Sequence, residues 1–264
     1  MKEINAEELK EIQLKILETV DDFCRRKNIN YFLDCGTLLG AIRHKGYIPW
    51  DDDIDIGMLR PEFDRFMREF NAENKKYQFF CIENKADFFF VHGKVLDTDT
   101  LLYEPDEKGV KIAVNIDVFV YDNAPSDPHK LKKMYNKRDL YRKLSALRNI
   151  KSKPNGNIFR RSVIRCLRGG LKIFPKNYFL LKLDRLSQKY SDQETGFVGN
   201  FTSFARICER KEIFDTYQEA LFENKLYKIP GDYDSWLKGF YGNYMQLPPK
   251  EKQVTHHTFK AYKK

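Results

Sequence analysis

Apolar residues recur at three- and four-residue steps from Leu9 through Ile12, Ile16, Val20, Phe23 and Cys24. That period predicts an amphipathic helix over residues 6 to 27, stopped at Asn28. The pattern then shortens. Tyr31, Phe32 and Leu33 read as a strand, Gly36 as a turn, and Thr37 as the cap of a short helix running to Ile42. Gly46 and Pro49 break that helix. Asp53 to Met58 alternates acids with Ile54, Ile56 and Met58 and reads as a second strand. Pro61 opens a helix that carries Phe63, Phe66, Met67 and Phe70 on one face. Tyr77 to Ile82, Phe88 to Leu96 and Ile112 to Val120 read as further strands, separated by turn-rich acidic stretches at 97–99 and 106–109.

After Asp122 the texture changes. The segment NAPSDPHK is linker-like, and the stretches Leu131 to Ile150, Ile158 to Ile173 and Tyr178 to Tyr190 are helical and basic. A mixed tail follows, ending DSWLKGFYGNYMQLPPKEKQVTHH before the last residues. The expected fold is therefore α/β (α+β): a mixed-sheet core over 1–122 behind an N-terminal helix. The remainder, 123–264, would be a mainly helical half packed on that core.

Composition narrows this reading. At 264 residues and 42% hydrophobic content, with 21 Phe and 15 Tyr, the chain can bury a full core. No apolar run reaches the roughly 18 residues of a membrane span. The first residues, MKEINAEELKEIQ, lack the apolar region of a secretory signal. Five scattered cysteines without a CxxC pair offer neither a zinc ribbon nor a redox motif, so a reduced, cytoplasmic protein is expected. The net charge of +9 is uneven: Lys130 to Arg185 holds 18 Lys or Arg against Asp139 and Asp184. Such a segment expects an anionic partner, whether membrane surface, phosphate-rich glycan or nucleic acid, unless it is a solubilising helix face.

The chemistry concentrates in Gly36 to Asp55, GTLLGAIRHKGYIPWDDDID. Carboxylates that close repel one another unless a cation neutralises them. Period-two alternation puts Asp53 and Asp55 on one strand face, and Asn115-Ile116-Asp117 supplies a third acid on a later strand. Acids from neighbouring strands suit Mg²⁺, which takes oxygen ligands and substrate phosphates. The glycine-marked turn and helix start suit close approach of a phosphate.

The stretch DCGTLLGAIRHKGYIPWDDDIDIGMLRPEFDRF resembles the signature block of the LicD family, within the nucleotidyltransferase fold of the DNA polymerase β superfamily. NIDVFVYD and the tail YGNYMQLPPKEKQVTHH are similar to the family's other recurrent blocks. Gly36-Thr37 departs from the superfamily's usual Gly-Ser or Gly-Gly. The resemblance covers about residues 30–122 strongly and 240–257 moderately. It implies transfer of phosphocholine from CDP-choline to a sugar hydroxyl of teichoic acid or lipopolysaccharide, with release of CMP. Fukutin-type proteins share the block and use CDP-ribitol. The family pattern maps onto Asp53, Asp55 and Asp117 as catalytic, metal-binding acids, with Mg²⁺ or Mn²⁺ as cofactor.

Other residues follow as donor-binding candidates: Gly36 and Thr37 at the phosphates, Arg43 and Lys94 as cations, and Trp50 as an aromatic face for choline. Each also has a plainer reading. Gly36 and Thr37 can be a tight turn, Arg43 a solvated helix end, Lys94 a structural ion pair and Trp50 core. Asp117, between Ile116 and Val118, is the candidate acceptor of the sugar hydroxyl proton. Asp51, Asp52, His256 and His257 have no assigned role. The acceptor is expected to be a lipid-linked glycan met at the inner membrane face. A nucleotidyltransferase using an NTP is the alternative enzyme. Nucleic-acid binding is not favoured, because no helix-turn-helix or finger spacing exists.

Overall fold

The computed structural model describes residues 1–85, 88, 90–104, 110–149, 158–203, 205–255 and 260–264. The chain opens with β1 (Lys2–Ile4), α1 (Ala6–Lys27), β2 (Phe32–Leu33), α2 (Cys35–Arg43), β3 (Asp55–Leu59) and α3 (Arg60–Glu73). It continues through β4 (Tyr77–Phe80), β5 (Gly93–Asp97), β6 (Thr100–Glu104), β7 (Val110–Ile112) and β8 (Asn115–Asn123). Three helices follow: α4 (Pro128–Asn149), α5 (Ile158–Leu171) and α6 (Tyr178–Ser187). The last part holds β9 (Phe197–Gly199), β10 (Cys208–Arg210), β11 (Tyr217–Phe222), β12 (Lys225–Pro230), α7 (Tyr233–Tyr241) and β13 (Lys260–Lys263).

The mixed α/β fold expected from the sequence is present. Its main sheet runs β10-β9-β8-β3-β2, with β5 also on β8 and β4 on β5. Among the described strands, β3 and β8 pair parallel and the other pairs are antiparallel. The buried Ile54, Ile56, Met58, Ile116 and Val118 form its centre. Helix α1 packs on β8 and β5, and α3 on β3, β4 and β8. Both helices carry the apolar stripe read from the sequence: Ile16, Val20 and Phe23 on α1 and Phe63, Phe66 and Phe70 on α3 are all buried. Asn5 caps α1 by accepting the Glu8 N–H at 2.8 Å, and Asn28 ends it in the left-handed region.

The second half does not stand apart. Strand β8 runs through residue 122, β9 pairs with Asp122 and Asn123, and β13 joins β1 to β6 in a second sheet. Buried Arg60 ties the halves together: it donates to both Asp122 oxygens at 2.7 and 3.0 Å and lies 3.5 Å from Asp184 on α6.

Some local expectations change. Helix α2 starts two residues before Thr37. The third strand starts at Asp55 rather than Asp53. The expected strand 112–120 is two strands, because the Thr100 hydroxyl takes the Val114 N–H at 2.9 Å and bends the chain there. The strand expected over 88–96 begins at Gly93, and residues 86, 87 and 89 lie outside the described set. The hairpin β11–β12 was not expected. Its tip, Glu223-Asn224, has positive φ at both residues, as a two-residue hairpin turn requires.

Candidate active site

The site is built where β2 gives way to α2. Asp34 caps the helix, its carboxylate accepting the Cys35 N–H at 2.8 Å. It also accepts from the Tyr121 hydroxyl and from Trp236 Nε1 at 3.1 Å. One wholly buried carboxylate therefore fixes α2 against β8 and α7. Burial pushes its pKa up, opposed by those hydrogen bonds. Thr37, expected as the cap, lies inside the helix. Its buried hydroxyl instead accepts the Asp55 N–H at 2.8 Å, locking the start of β3 to α2.

Residues 51–54 form neither helix nor strand and lead into β3. Gln13, buried on α1, holds this run by donating to the Asp52 carbonyl at 3.0 Å. Gly36 has a specific task here: a Cβ in its place would lie 2.5 Å from Asp51 Oδ2. The missing side chain lets the Asp51 carboxylate approach the first turn of α2, where the sequence suggested a phosphate. Among the described residues, the trio with ligand oxygens all within 4.8 Å of one another is Asp51, Asp52 and Asp53.

Asp55 and Asp117 are direct register partners on the parallel pair β3–β8. Their environments differ. Asp117 faces the Lys94 ammonium, its register partner on β5, and His92 Nε2 at 2.8 Å. Lys94 also donates to Asn115 Oδ1 at 3.0 Å, and the His92 ring packs 4.8 Å from that of Phe119. Burial opposes ionisation of Asp117, but His92 and Lys94 outweigh it and hold the carboxyl well below its ordinary range. Asp55 has no ion-pair partner among the described residues. Burial, then the charges of Asp53, Asp117, Asp34 and Asp51, push its carboxyl well above the ordinary range. An all-oxygen, all-carboxylate donor set fits a hard divalent cation.

Of these acids, Asp51 borders a cavity of about 560 Å³. Gly36, Arg43, Trp50 and Asp51 form one wall, and Tyr241 and Lys252 belong to the other. Three of the five expected donor-binding residues thus share one space. The other two, Thr37 and Lys94, are turned to Asp55 and Asp117. Arg43 donates to the Tyr244 carbonyl at 2.7 Å, joining the two walls. Tyr241 is 42% exposed as a whole residue, yet its hydroxyl lies on the side of Cys35, Asp55, Asp34 and Asp51, where desolvation and then those charges raise it above the ordinary phenol range. Residue-level reasoning passed over Asp34, Tyr121, Trp236, Tyr241 and Lys252. Tyr241 and Lys252 lay within the tail block YGNYMQLPPKEK, whose signal was its similarity alone. His256 and His257 lie outside the described residues.

Comparison with known proteins accounts for this arrangement. Residues 28–154 match the LicD/FKTN/FKRP nucleotidyltransferase domain. Over 273 aligned residues the chain is 30% identical to the lipopolysaccharide cholinephosphotransferase LicD of Haemophilus influenzae, covering 99% of both proteins. The chain belongs to the LicD family. Shorter similarities reach an uncharacterised Rickettsia typhi protein, 33% identical over 86 residues, which is 30% of this chain and 28% of that one. An uncharacterised Rickettsia prowazekii protein is 31% identical over 88 residues, 30% of this chain and 32% of its own. The LicD domain match spans every candidate acid. The cavity wall at Tyr241 to Lys252 falls outside it but inside the full-length similarity to the Haemophilus protein.

Proposed function

We propose that this LicD-family transferase moves phosphocholine from CDP-choline to a sugar hydroxyl of a teichoic acid or lipopolysaccharide precursor. The acceptor oxygen bonds to the distal phosphorus, the bond from that phosphorus to the oxygen of CMP breaks, and the acceptor proton leaves. The observation that carries this reading is the pairing of Asp55 with Asp117 in register, with Asp53 two residues ahead of Asp55, beside the cavity that holds Arg43 and Trp50. The full-length similarity to a cholinephosphotransferase supports the choice of head group.

Asp53, Asp55 and Asp117 would hold Mg²⁺ or Mn²⁺. The bound ion supplies positive charge to the diphosphate and to the departing phosphate oxygen. Arg43 offers a guanidinium for the CMP phosphate. Trp50 offers an aromatic face to the quaternary ammonium, a cation that such faces attract. Asp117 is kept ionised by Lys94 and His92, which suits a ligand role. The same two partners make it a weaker base than an ordinary carboxylate and oppose the proton-accepting role expected from the sequence.

The test is CMP release from CDP-choline by the purified protein with Mg²⁺, with and without a teichoic acid precursor, in parallel with EDTA. Release that needs both metal and acceptor is expected. Turnover of CDP-ribitol instead would keep the reaction and replace the head group. Pyrophosphate release from an NTP would replace the reaction.

A further inference from the structure

Among the described residues, helix α5 and the turn that follows it carry a group of exposed large apolar side chains. Phe159, Val163 and Leu167 fall at four-residue steps on one stripe, and all three are exposed, Phe159 at 78%. Ile173, just past the helix, is 84% exposed and Phe174 is exposed beside it. Neither buried core cluster includes a residue of α5. The presentation is nonetheless anchored. Arg148 on α4 donates to the Phe174 carbonyl at 3.2 Å, Asn149 donates to the Lys176 carbonyl at 3.1 Å, and Phe174 stacks on Tyr178 at 4.7 Å.

Charge selects the occupant. Residues 158–176 contain Arg160, Arg161, Arg165, Arg168, Lys172 and Lys176, and no Asp or Glu occurs between Asp139 and Asp184. At 100° per residue, Arg161, Arg165, Arg168 and Lys172 fall on the side of the helix opposite Val163 and Leu167. A second copy docked stripe to stripe by two-fold symmetry would cover the apolar residues but add a second set of the same cations beside them. Nucleic acid would satisfy the cations but leave the apolar stripe in water. An anionic bilayer satisfies both at once. A short amphipathic helix lying in the interface buries its apolar face and sets its Lys and Arg at lipid phosphates. No helix among the described residues is long and apolar enough to cross a membrane, so contact through α5 would be peripheral.

We propose that α5 and the segment to Lys176 form a membrane-docking surface, with Phe159, Val163, Leu167 and Ile173 entering the headgroup boundary of an anionic lipid layer. The proposal stands independently of the donor chemistry, and its test reads no activity. The full-length protein is sedimented with vesicles of phosphatidylcholine alone and of phosphatidylcholine with phosphatidylglycerol. Binding about tenfold stronger to the anionic vesicles is expected, falling with added salt. The double variant Phe159→Glu/Leu167→Glu should lose this binding while its thermal unfolding changes little, because Phe159 is largely in water and Leu167 more than half so. Phe159→Trp should shift tryptophan emission to the blue only with anionic vesicles. Equal sedimentation with both vesicle types, a double variant that binds like the parent, or emission that stays that of a hydrated indole would each overturn it. So would sedimentation velocity showing a parent dimer that the double variant dissociates, which would make the face a self-association surface.

Discussion

The two ends of β8 solve the same electrostatic problem in opposite ways. At its far end Asp122 meets Glu83, Asp184 and one guanidinium. Arg60 donates to Asp122 twice and to Glu83 at 3.0 Å, so a cation sits among the carboxylates. At its near end Asp117 is paired with Lys94 and His92, while its register partner Asp55 faces Asp53, Asp34 and Asp51 and has no ion-pair partner among the described residues. A cluster closed by its own arginine is a tie between elements. A buried Asp55 set among further acids is suited to a ligand that brings positive charge. Burial alone does not separate the two, since Asp122 and Asp55 are both buried. The location of the cation does.

The sharpest way to break this comparison is Asp55→Asn. We expect metal-dependent CMP release to fall roughly a thousandfold, about 4 kcal/mol in the barrier. The melting temperature should hold or rise, since the substitution removes one of several repelling charges. Mg²⁺ should raise the melting temperature of the parent and not of the variant. A variant that keeps near-parent turnover would end the assignment of Asp55. At the other end, Arg60→Met should leave buried carboxylates without their partner and cost about 3 kcal/mol or more of stability in urea unfolding. Arg60→Met combined with Asp122→Leu should recover part of that loss. Little loss in the single variant would mean that Arg60 is not what holds the cluster.

The Arg60 cluster also predicts a pH dependence. Burial and the charge of Asp184 raise the Glu83 carboxyl to about 7, against the lowering pull of Arg60. A carboxyl with a raised native pKa contributes stability that is full below its unfolded pKa of about 4.5 and is lost as pH rises through about 7. Stability should therefore decline between pH 5 and 8 by on the order of 2 kcal/mol from this group, allowing for solvent screening. Glu83→Gln should flatten that decline. A parent protein equally stable at both ends of that window would contradict it.

How much of this was legible in the chain depended on whether a residue's neighbours advertised its role. Helices α1 and α3 announced themselves through long apolar stripes and their stop and start residues, Asn28 and Pro61. Asp53, Asp55 and Asp117 stood out because acids between Ile54, Ile56, Ile116 and Val118 are costly without a partner. Asp34, Tyr121 and Trp236 did not, because each sits in a run that reads as core or turn and they meet only in three dimensions. Strands β9 and β10 are three residues each, too short to show a period. The cavity's second wall comes from residues about 200 positions from Arg43, a proximity that periodicity does not encode. Helix α5 was visible as basic and helical, but only the fold shows that Phe159, Val163 and Leu167 of its apolar stripe stay exposed.

The smallest effect tests the point where sequence and structure part most clearly. Thr37 was expected to meet the donor's phosphates, and the fold turns its hydroxyl to the Asp55 N–H instead. If that hydrogen bond is its role, Thr37→Val leaves a buried N–H unsatisfied in a residue of almost the same shape. The cost should be about 1–2 kcal/mol of stability. Thr37→Ser, which keeps the hydroxyl, should recover most of it. Turnover in the valine variant should fall through kcat, because β3 would hold Asp55 less firmly, with KM for CDP-choline nearly unchanged. A valine variant with parental stability and a raised KM would reverse the reading: the hydroxyl would then serve the donor, and α2 would have to turn toward the cavity when the donor binds.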